Sequence, residues 1–343
     1  MPSLSSLSRL GIIGCGDFLR LQVPAIAESK GLQVTALYDP DTARTQKYAA
    51  ELGAQAVASA EALIDSDAVD IVGIFVPPWA RKPLVLRAAA AGKHIITTKP
   101  LAPTVADCEE MVAAVERAGV RCGVIYNRTQ TPLVVTLKEV LGSGRFGKLA
   151  LYKQDWLHHY PSWNNWALDP SRNGGPFMDA MIHNLNIARY LMGRPATRGT
   201  MFSDRHAHPD LPCVDTEFLK LDFADGGAAH LFITWAADLA VYDQSGNYRE
   251  HFDIWYAVTD QGWRITSEHR EGKEVLLASR DGKAEVIPIA PIGETPYDCL
   301  ARAIAGPSPV DGVLATLQEA TEDIRIIRLT GAEPGRLVPL GGS

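Results

Sequence analysis

Leu10-Gly11-Ile12-Ile13 is a short apolar run that breaks at once into Gly14-Cys15-Gly16, and the residues after it, up to the Lys30-Gly31 stop, read as a helix. Strand, glycine turn and helix in that order constrain the fold strongly. Such a turn lets the backbone approach an anionic group whose charge the amides of the helix N-terminus then hold. Leu19 stands where Gly or Ala completes a GxGxxG pattern, so the motif is partial and also fits a plain glycine turn. The next strand, residues 32–38, ends at Asp39, at the spacing of about 20 residues where a carboxylate meets an adenosine ribose. A carboxylate there accepts both ribose hydroxyls and repels a 2′-phosphate, which predicts NAD rather than NADP. Arg44, one turn into the following helix, reads as a solvated charge.

The alternation continues through helices at 41–52 and 60–66, an apolar strand at 69–76, Pro77-Pro78, a helix to Ala91, a strand at 94–97, a helix at 102–118 and a last strand at 120–126. Continuous apolar strands separated by helices describe a doubly wound parallel sheet covered on both faces. Thr98-Lys99-Pro100 follows one of these strands. A lysine at a strand end is ordinarily a surface charge, but the carboxyl edge of a parallel sheet faces the crevice where such folds bind ligands. Asn127-Arg128 reaches the same edge from the last strand.

Beyond a helix at 131–142 the period changes. Residues 148–156, 198–203, 216–223, 228–236, 252–259 and 263–267 read as strands, with turn pairs at Asp225-Gly226 and Gln261-Gly262. Hairpins in place of crossovers predict an antiparallel sheet with one face on its helices. Ile254, Tyr256 and Trp235 predict that the other face is covered too, by a second copy of the chain. Helices at 296–305 and 313–330 close the chain. With 343 residues, two domains are expected, 1–127 and 128–343.

Gly174-Gly175 opens a predicted helix bearing Asp179 and His183. An i, i+4 pair projects from one helix face about 6 Å apart along the axis. Imidazole titrates near neutrality and suits acid/base work, although an acid and a histidine at this spacing also simply stabilise a helix surface. The preceding stretch, residues 158–166, is rich in aromatics, amides and imidazoles, including Tyr160 and Trp163. Flat rings with polar donors suit the faces and hydroxyls of a sugar, and equally they fill space in a packed loop. His158, His159, Asp179 and His183 lack tight ligand spacing, so no metal is predicted.

A net charge of −7 argues against a nucleic-acid partner. Five cysteines without metal or disulfide spacing suit a reducing compartment, and neither a signal peptide nor a membrane span is readable. A cytoplasmic protein with a small-molecule substrate is the expectation.

Taken together, Gly11-Ile12-Ile13-Gly14-Cys15-Gly16, the run 91–100 ending in Lys99-Pro100, and Gly174-Gly175 with Asp179 and His183 resemble the glucose-fructose oxidoreductase, inositol dehydrogenase and rhizopine-catabolism family, Gfo/Idh/MocA. The resemblance runs over nearly the whole chain. It implies an N-terminal Rossmann domain, a C-terminal α+β domain on a large, mostly antiparallel sheet whose last helices, about 313–330, pack back on the first domain, and NAD(P)-dependent redox chemistry on sugars and cyclitols. It implies a nucleotide site at Gly14, Gly16, Asp17, Phe18, Leu19, Asp39, Pro77, Pro78, Arg81, Thr98, Lys99 and Asn127. Substrate contacts would come from Lys99, Arg128, Tyr160, Trp163, Asp179 and His183, with Lys99, Asp179 and His183 catalytic. The Lys99-Pro100 peptide is often cis in relatives. Thr98 replaces a usual Glu, Arg81 a common His and Asn186 an Asp, so the nicotinamide pocket departs from the family pattern.

The expected reaction is hydride transfer between a secondary hydroxyl and nicotinamide, with His183 as principal acid/base, Lys99 stabilising charge on oxygen and Asp179 anchoring substrate. The resemblance leaves open whether Lys99 or His183 takes the proton. Two alternatives stand beside it: glycoside cleavage or elimination through transient oxidation, which accumulates no NADH, and a non-catalytic dinucleotide sensor, a class that usually loses the Lys/Asp/His set.

Overall fold

The computed structural model describes residues 7–158, 165–172, 174–235, 241–242, 248–249, 251–306, 310 and 313–341. The chain divides into two compact units, Met1–Tyr126 with Gly293–Thr321, and Asn127–Ile292 with Glu322–Ser343.

In the first unit the order is β1 (Ser8–Ile13), α1 (Asp17–Glu28), β2 (Leu32–Tyr38), α2 (Thr42–Leu52), β3 (Gln55–Ala56), α3 (Ala60–Ile64), β4 (Ile71–Ile74), α4 (Pro78–Ala90), β5 (His94–Thr98), α5 (Val105–Ala118) and β6 (Cys122–Ile125). Among the described residues these strands form one six-stranded parallel sheet, β3-β2-β1-β4-β5-β6. The order reverses between β1 and β4, the switch point where doubly wound sheets open a crevice. Helix boundaries follow local chemistry. Asp41 caps α2 by accepting from the amides of Ala43 and Arg44, and Thr104 caps α5 through Asp107. Gly53 and Gly119 end these helices in the left-handed region.

The second unit runs α6 (Pro132–Gly142), β7 (Leu149–His158), a π-turn (Phe177–Met181) continuing into α7 (Ile182–Met192), β8 (Ala196–Asp204), β9 (Thr216–Phe223), β10 (Ala228–Thr234), the short pair β11 (Val241–Tyr242) and β12 (Tyr248–Arg249), then β13 (His251–Thr259), β14 (Arg264–Arg270), β15 (Lys273–Arg280) and β16 (Lys283–Pro288). After these come α8 (Pro296–Ala305), α9 (Leu317–Ala332) and β17 (Val338–Pro339). Among the described residues one nine-stranded sheet has the order β16-β15-β14-β13-β7-β10-β9-β8-β17. It is antiparallel except where β10 lies parallel to β7.

Strands β15 and β16 extend the sheet beyond the six strands read from the sequence. They enter through turns at Glu271-Gly272 and Asp281-Gly282, where both central residues have positive φ, as they do at Asp225-Gly226. Trp235 departs from expectation. It continues the buried row Ala229, Leu231 and Ile233, so strand alternation puts it in the core and not on the open face. Ile254 and Phe202, by contrast, are 43% and 48% exposed.

Helix α8 belongs to the first unit. Its Tyr297 hydroxyl donates to Gln22 at 3.2 Å, and Asp298 accepts from the amides of Lys30 and Gly31 at 2.8 Å, closing the turn after α1. The division at residue 127 puts this segment in the second domain, while the family resemblance brings the last helices back onto the first. All five cysteines are buried thiols, and among the described residues no helix is long and apolar enough to cross a membrane.

Candidate active site

The edge of the first unit expected to hold a nucleotide is built mostly from backbone. Gly14 has φ +100°, and a Cβ there would stand 2.5 Å from the carbonyl oxygen of Phe75, so only glycine fits between β1 and β4. Gly16 caps α1 without any side-chain hydrogen bond, and a Cβ built on it would approach nothing nearer than Arg44 Nη1 at 4.0 Å. The amides of the first turn of α1, Asp17, Phe18 and Leu19, therefore stand at an uncapped helix N-terminus with open space before it, the arrangement that holds a diphosphate. The leucine at position 19 lies wholly in the core with Leu10 and Ile12, leaving only its backbone for a ligand. Phe18 packs edge-on to Phe75, ring centroids 5.0 Å apart.

Asp39, at the end of β2, accepts from the amide of Cys15 at 2.7 Å and that of Asp41 at 2.8 Å. Its carboxylate thus ties the glycine turn to the next loop at the sheet edge. Arg44 is exposed and paired with Asp41 at 3.2 Å, as a solvated charge should be. These residues fit a dinucleotide.

Further along the same edge, Pro77 caps α4 and Pro78 is its first residue. Arg81, expected at the cofactor, is instead spent inside the protein. It is 1% exposed, and its guanidinium donates to the carbonyls of Val76, Pro100 and Leu101. An arginine with that many buried acceptors is a brace between the β4 and β5 edge turns. Burial also lowers its pKa to about 10. Thr98 is buried with its hydroxyl on the carbonyl of Ile125. Lys99 follows with a cis peptide to Pro100, its amide bonded to Ile125 and its side chain half-buried. Asn127 is exposed just past β6.

The second unit presents its groups differently. Gly174 and Gly175 have φ of +83° and +98°, two successive left-handed residues that turn the chain into the π-turn. From Gly175 to Ala188 every residue is buried except Asp179 and His183, which are half-exposed. Apolar Phe177, Met178, Met181 and Ile182 anchor the segment in the core. The expected single helix is therefore a π-turn bearing Asp179, continuous with an α-helix bearing His183. π-Bulges of this kind recur at functional sites. Nδ1 of His183 is shielded from solvent.

Buried polar groups from elements distant in sequence support this segment. Glu217 of β9 accepts from the amide of Phe177 at 2.6 Å. Asn186 accepts from Thr129 at 2.8 Å and donates to Asp323 at 2.9 Å, while Arg189 meets the other oxygen of Asp323 at 2.5 Å. Arg128, expected at substrate, stacks 3.8 Å over Trp156, donates to Asp253 at 2.7 Å and reaches Asn184 at 3.4 Å. It lines a cavity of ≈ 480 Å³ together with Tyr152, Gln154, Asp253, Trp255 and His269. Tyr160 and Trp163 lie outside the described residues.

Sequence reading missed Glu217, Gln154, Asp253 and Asp323. One signal was available. Glu217 shares its strand face with Leu219, Leu221 and Phe223, and a carboxyl on the apolar side of a strand needs a buried partner.

A family model described as an oxidoreductase family with an NAD-binding Rossmann fold matches residues 8–126, and a model of the GFO/IDH/MocA C-terminal domain matches residues 134–249. The chain is 32% identical over 229 residues to inositol 2-dehydrogenase 2 of Saccharopolyspora erythraea, 63% of each chain. Across the first curated relatives it spans between 57% and 64% of their lengths. Its fold is similar to aldose-aldose oxidoreductase from Caulobacter crescentus, at a TM-score of 0.83 and 22% identity over 97% of this chain and 100% of that one. An oxidoreductase from Agrobacterium radiobacter in complex with NAD+ matches at 0.80 and 20% identity, over 98% and 99%. With both of its units matched in order by models of one family, the chain belongs to the Gfo/Idh/MocA oxidoreductases.

Proposed function

We propose that this oxidoreductase is a cytoplasmic NAD-dependent dehydrogenase of a secondary hydroxyl on a sugar or cyclitol. The observation that carries the reading is the exposure of Asp179 and His183 alone along the buried run from Gly175 to Ala188. A segment that exposes nothing but an acid and an imidazole is built to present them. The inositol dehydrogenase and anhydrofructose reductase among the relatives support a polyhydroxylated substrate. Five buried thiols suit a reducing compartment.

Bound NAD supplies the hydride acceptor. His183 takes the hydroxyl proton; with Nδ1 shielded, Nε2 is the nitrogen that exchanges it. To Lys99, at the carboxyl edge of the parallel sheet of the first unit, we assign the stabilisation of the charge that develops on oxygen as the proton leaves. Asp179 accepts from a neighbouring hydroxyl and fixes the ring. NAD is preferred over NADP because the Asp39 carboxylate, held at the glycine turn by the Cys15 amide, repels a 2′-phosphate. The test is a screen of monosaccharides, inositols and glycosides with each dinucleotide, followed by NADH absorbance. Turnover confined to aldehydes or acids, or none with any polyol, rejects the reading; product without NADH moves it to glycoside cleavage by transient oxidation.

The open face of the nine-stranded sheet carries Phe202, Ile254 and Val286, each more than a third exposed, and a second copy of the chain is the occupant we assign to it. A monomeric mass by light scattering at micromolar concentration rejects that assignment.

A further inference from the structure

Glu217 lies on the inward face of β9, 5% exposed, behind the turn that leads to Asp179 and His183. Its Oε2 accepts from the amide of Phe177, the first residue of the π-turn, at 2.6 Å, and a Cβ on Gly175 would stand 3.8 Å from the same oxygen. Its Oε1 accepts from the Ser203 hydroxyl on β8 at 3.4 Å. Two other titratable groups face it. The Arg328 guanidinium of α9 attracts it, and a Cβ on Gly174 would lie 3.4 Å from that guanidinium. Cys213, ahead of β9, keeps its thiol neutral because burial pushes it up to about 11. The loop bearing Cys213 is pinned in turn by Asp215, which accepts from the amides of His206, Ala207 and His208.

A helix normally caps its first amides with a nearby Ser, Thr, Asp or Asn. Here Pro176 occupies the cap position and offers no side-chain bond, so the donor at Phe177 is met from a strand 40 residues away. A carboxylate in the core is an expensive way to satisfy one amide. It is retained where it fixes a geometry that a local cap does not.

We propose that Glu217 is the positioning residue of the active-site turn, holding the Phe177 amide so that Asp179 and His183 stand in register on the surface of the second unit. The assignment rests on the reading of those two as the acid/base and anchoring groups. Burial pushes the Glu217 carboxyl up to about 7, so the strength of the hold changes in the range where a dehydrogenase works.

The experiment compares wild type, Glu217→Gln and Glu217→Ala as full chains, by hydrogen exchange of the peptide spanning Gly174 to His183 and by steady-state kinetics across pH. Glu217→Ala is expected to lose protection in that peptide by about 10-fold. Its kcat should fall roughly 100-fold as the reacting groups are misplaced, with KM rising as the Asp179 anchor shifts. Glu217→Gln keeps the acceptor; protection and kcat return to within about 3-fold, while the pH dependence contributed by ionisation near 7 disappears. Unchanged protection in Glu217→Ala overturns the proposal. If Glu217→Ala does not fold, Glu217→Gln decides: lost protection, or a wild-type pH profile, overturns it. Lost protection with undiminished turnover leaves Glu217 as the holder of the turn and rejects the catalytic reading of Asp179 and His183.

Discussion

The two units solve the same problem, presenting polar groups at a surface, by opposite means. In the first, the presenting groups are mostly backbone, the uncapped amides of α1 and a glycine that nothing else can replace, with the one carboxylate of Asp39 bound to the amide next to that glycine. These parts lie within one βαβ unit, so local sequence determines them. In the second, side chains are presented by a turn whose amide is held by Glu217 and whose following helix is held through Asn186 and Asp323, spread over more than a third of the chain. A backbone site tolerates most side-chain changes and no change at its glycines. A side-chain site depends on remote polar partners as much as on the residues it shows.

The sharpest way to break this comparison is at the presented side chain. His183→Ala is expected to lower kcat by about 100- to 10,000-fold, the range of a general acid/base, with NAD affinity by fluorescence titration unchanged. Near wild-type turnover refutes the role of His183. At the backbone site, Gly14→Ala puts a Cβ against Phe75 and strains a φ of +100°; a loss of about 1–3 kcal/mol in stability is expected, together with weakened NAD binding, read by denaturant unfolding and titration. Asp39→Ala should touch neither stability nor kcat to that degree but should move the NAD to NADP preference by about 10-fold or more, the scale of a lost charged contact. Unchanged preference separates Asp39 from the ribose.

A pH-dependent effect sharpens the second unit. Because Glu217 has a folded pKa raised from 4.5 to about 7, the native state keeps a proton that the unfolded chain gives up. Its contribution to stability is complete below the unfolded value and is lost as pH rises through about 7, a change on the order of 3 kcal/mol at most. Asp215 runs the other way. Its amide bonds lower its carboxyl to about 2, so its contribution is present above the ordinary aspartate value and lost in stronger acid. Urea midpoints of Glu217→Gln should rise relative to wild type between pH 5 and 7, and parallel profiles would refute the assignment.

The strands of the first unit were legible because each is a continuous apolar run ending in turn chemistry, and the observed β1, β2, β4, β5 and β6 fall within a few residues of where that pattern ends. In the second unit β9 coincides with its apolar alternation, whereas β15 and β16 were missed although Glu271-Gly272 and Asp281-Gly282 mark their turns. β16 is short, solvent-facing and at the edge of the sheet, so it carries little hydrophobic signal; β15 lies one strand further in and buries Leu276 and Ala278, a signal the sequence reading passed over. Trp235 was assigned to the wrong face although it lies inside the strand read at 228–236, in phase with Ala229, Leu231 and Ile233, and the burial of that row shows which side is the core.

What the sequence alone determined is whatever depends on near neighbours: the glycine turn, the Asp39 carboxylate at its proper distance, the parallel sheet, and a helix showing one acid and one imidazole. Tertiary structure decided the rest. It turned Arg81 from an expected ligand contact into a buried brace, the start of the predicted helix into a π-turn, and Glu217 from a strand residue into the cap of that turn. The physical reason is common to all three. A buried polar group must find a partner, and in a folded chain that partner is set by which strands and helices meet, a fact no local spacing carries.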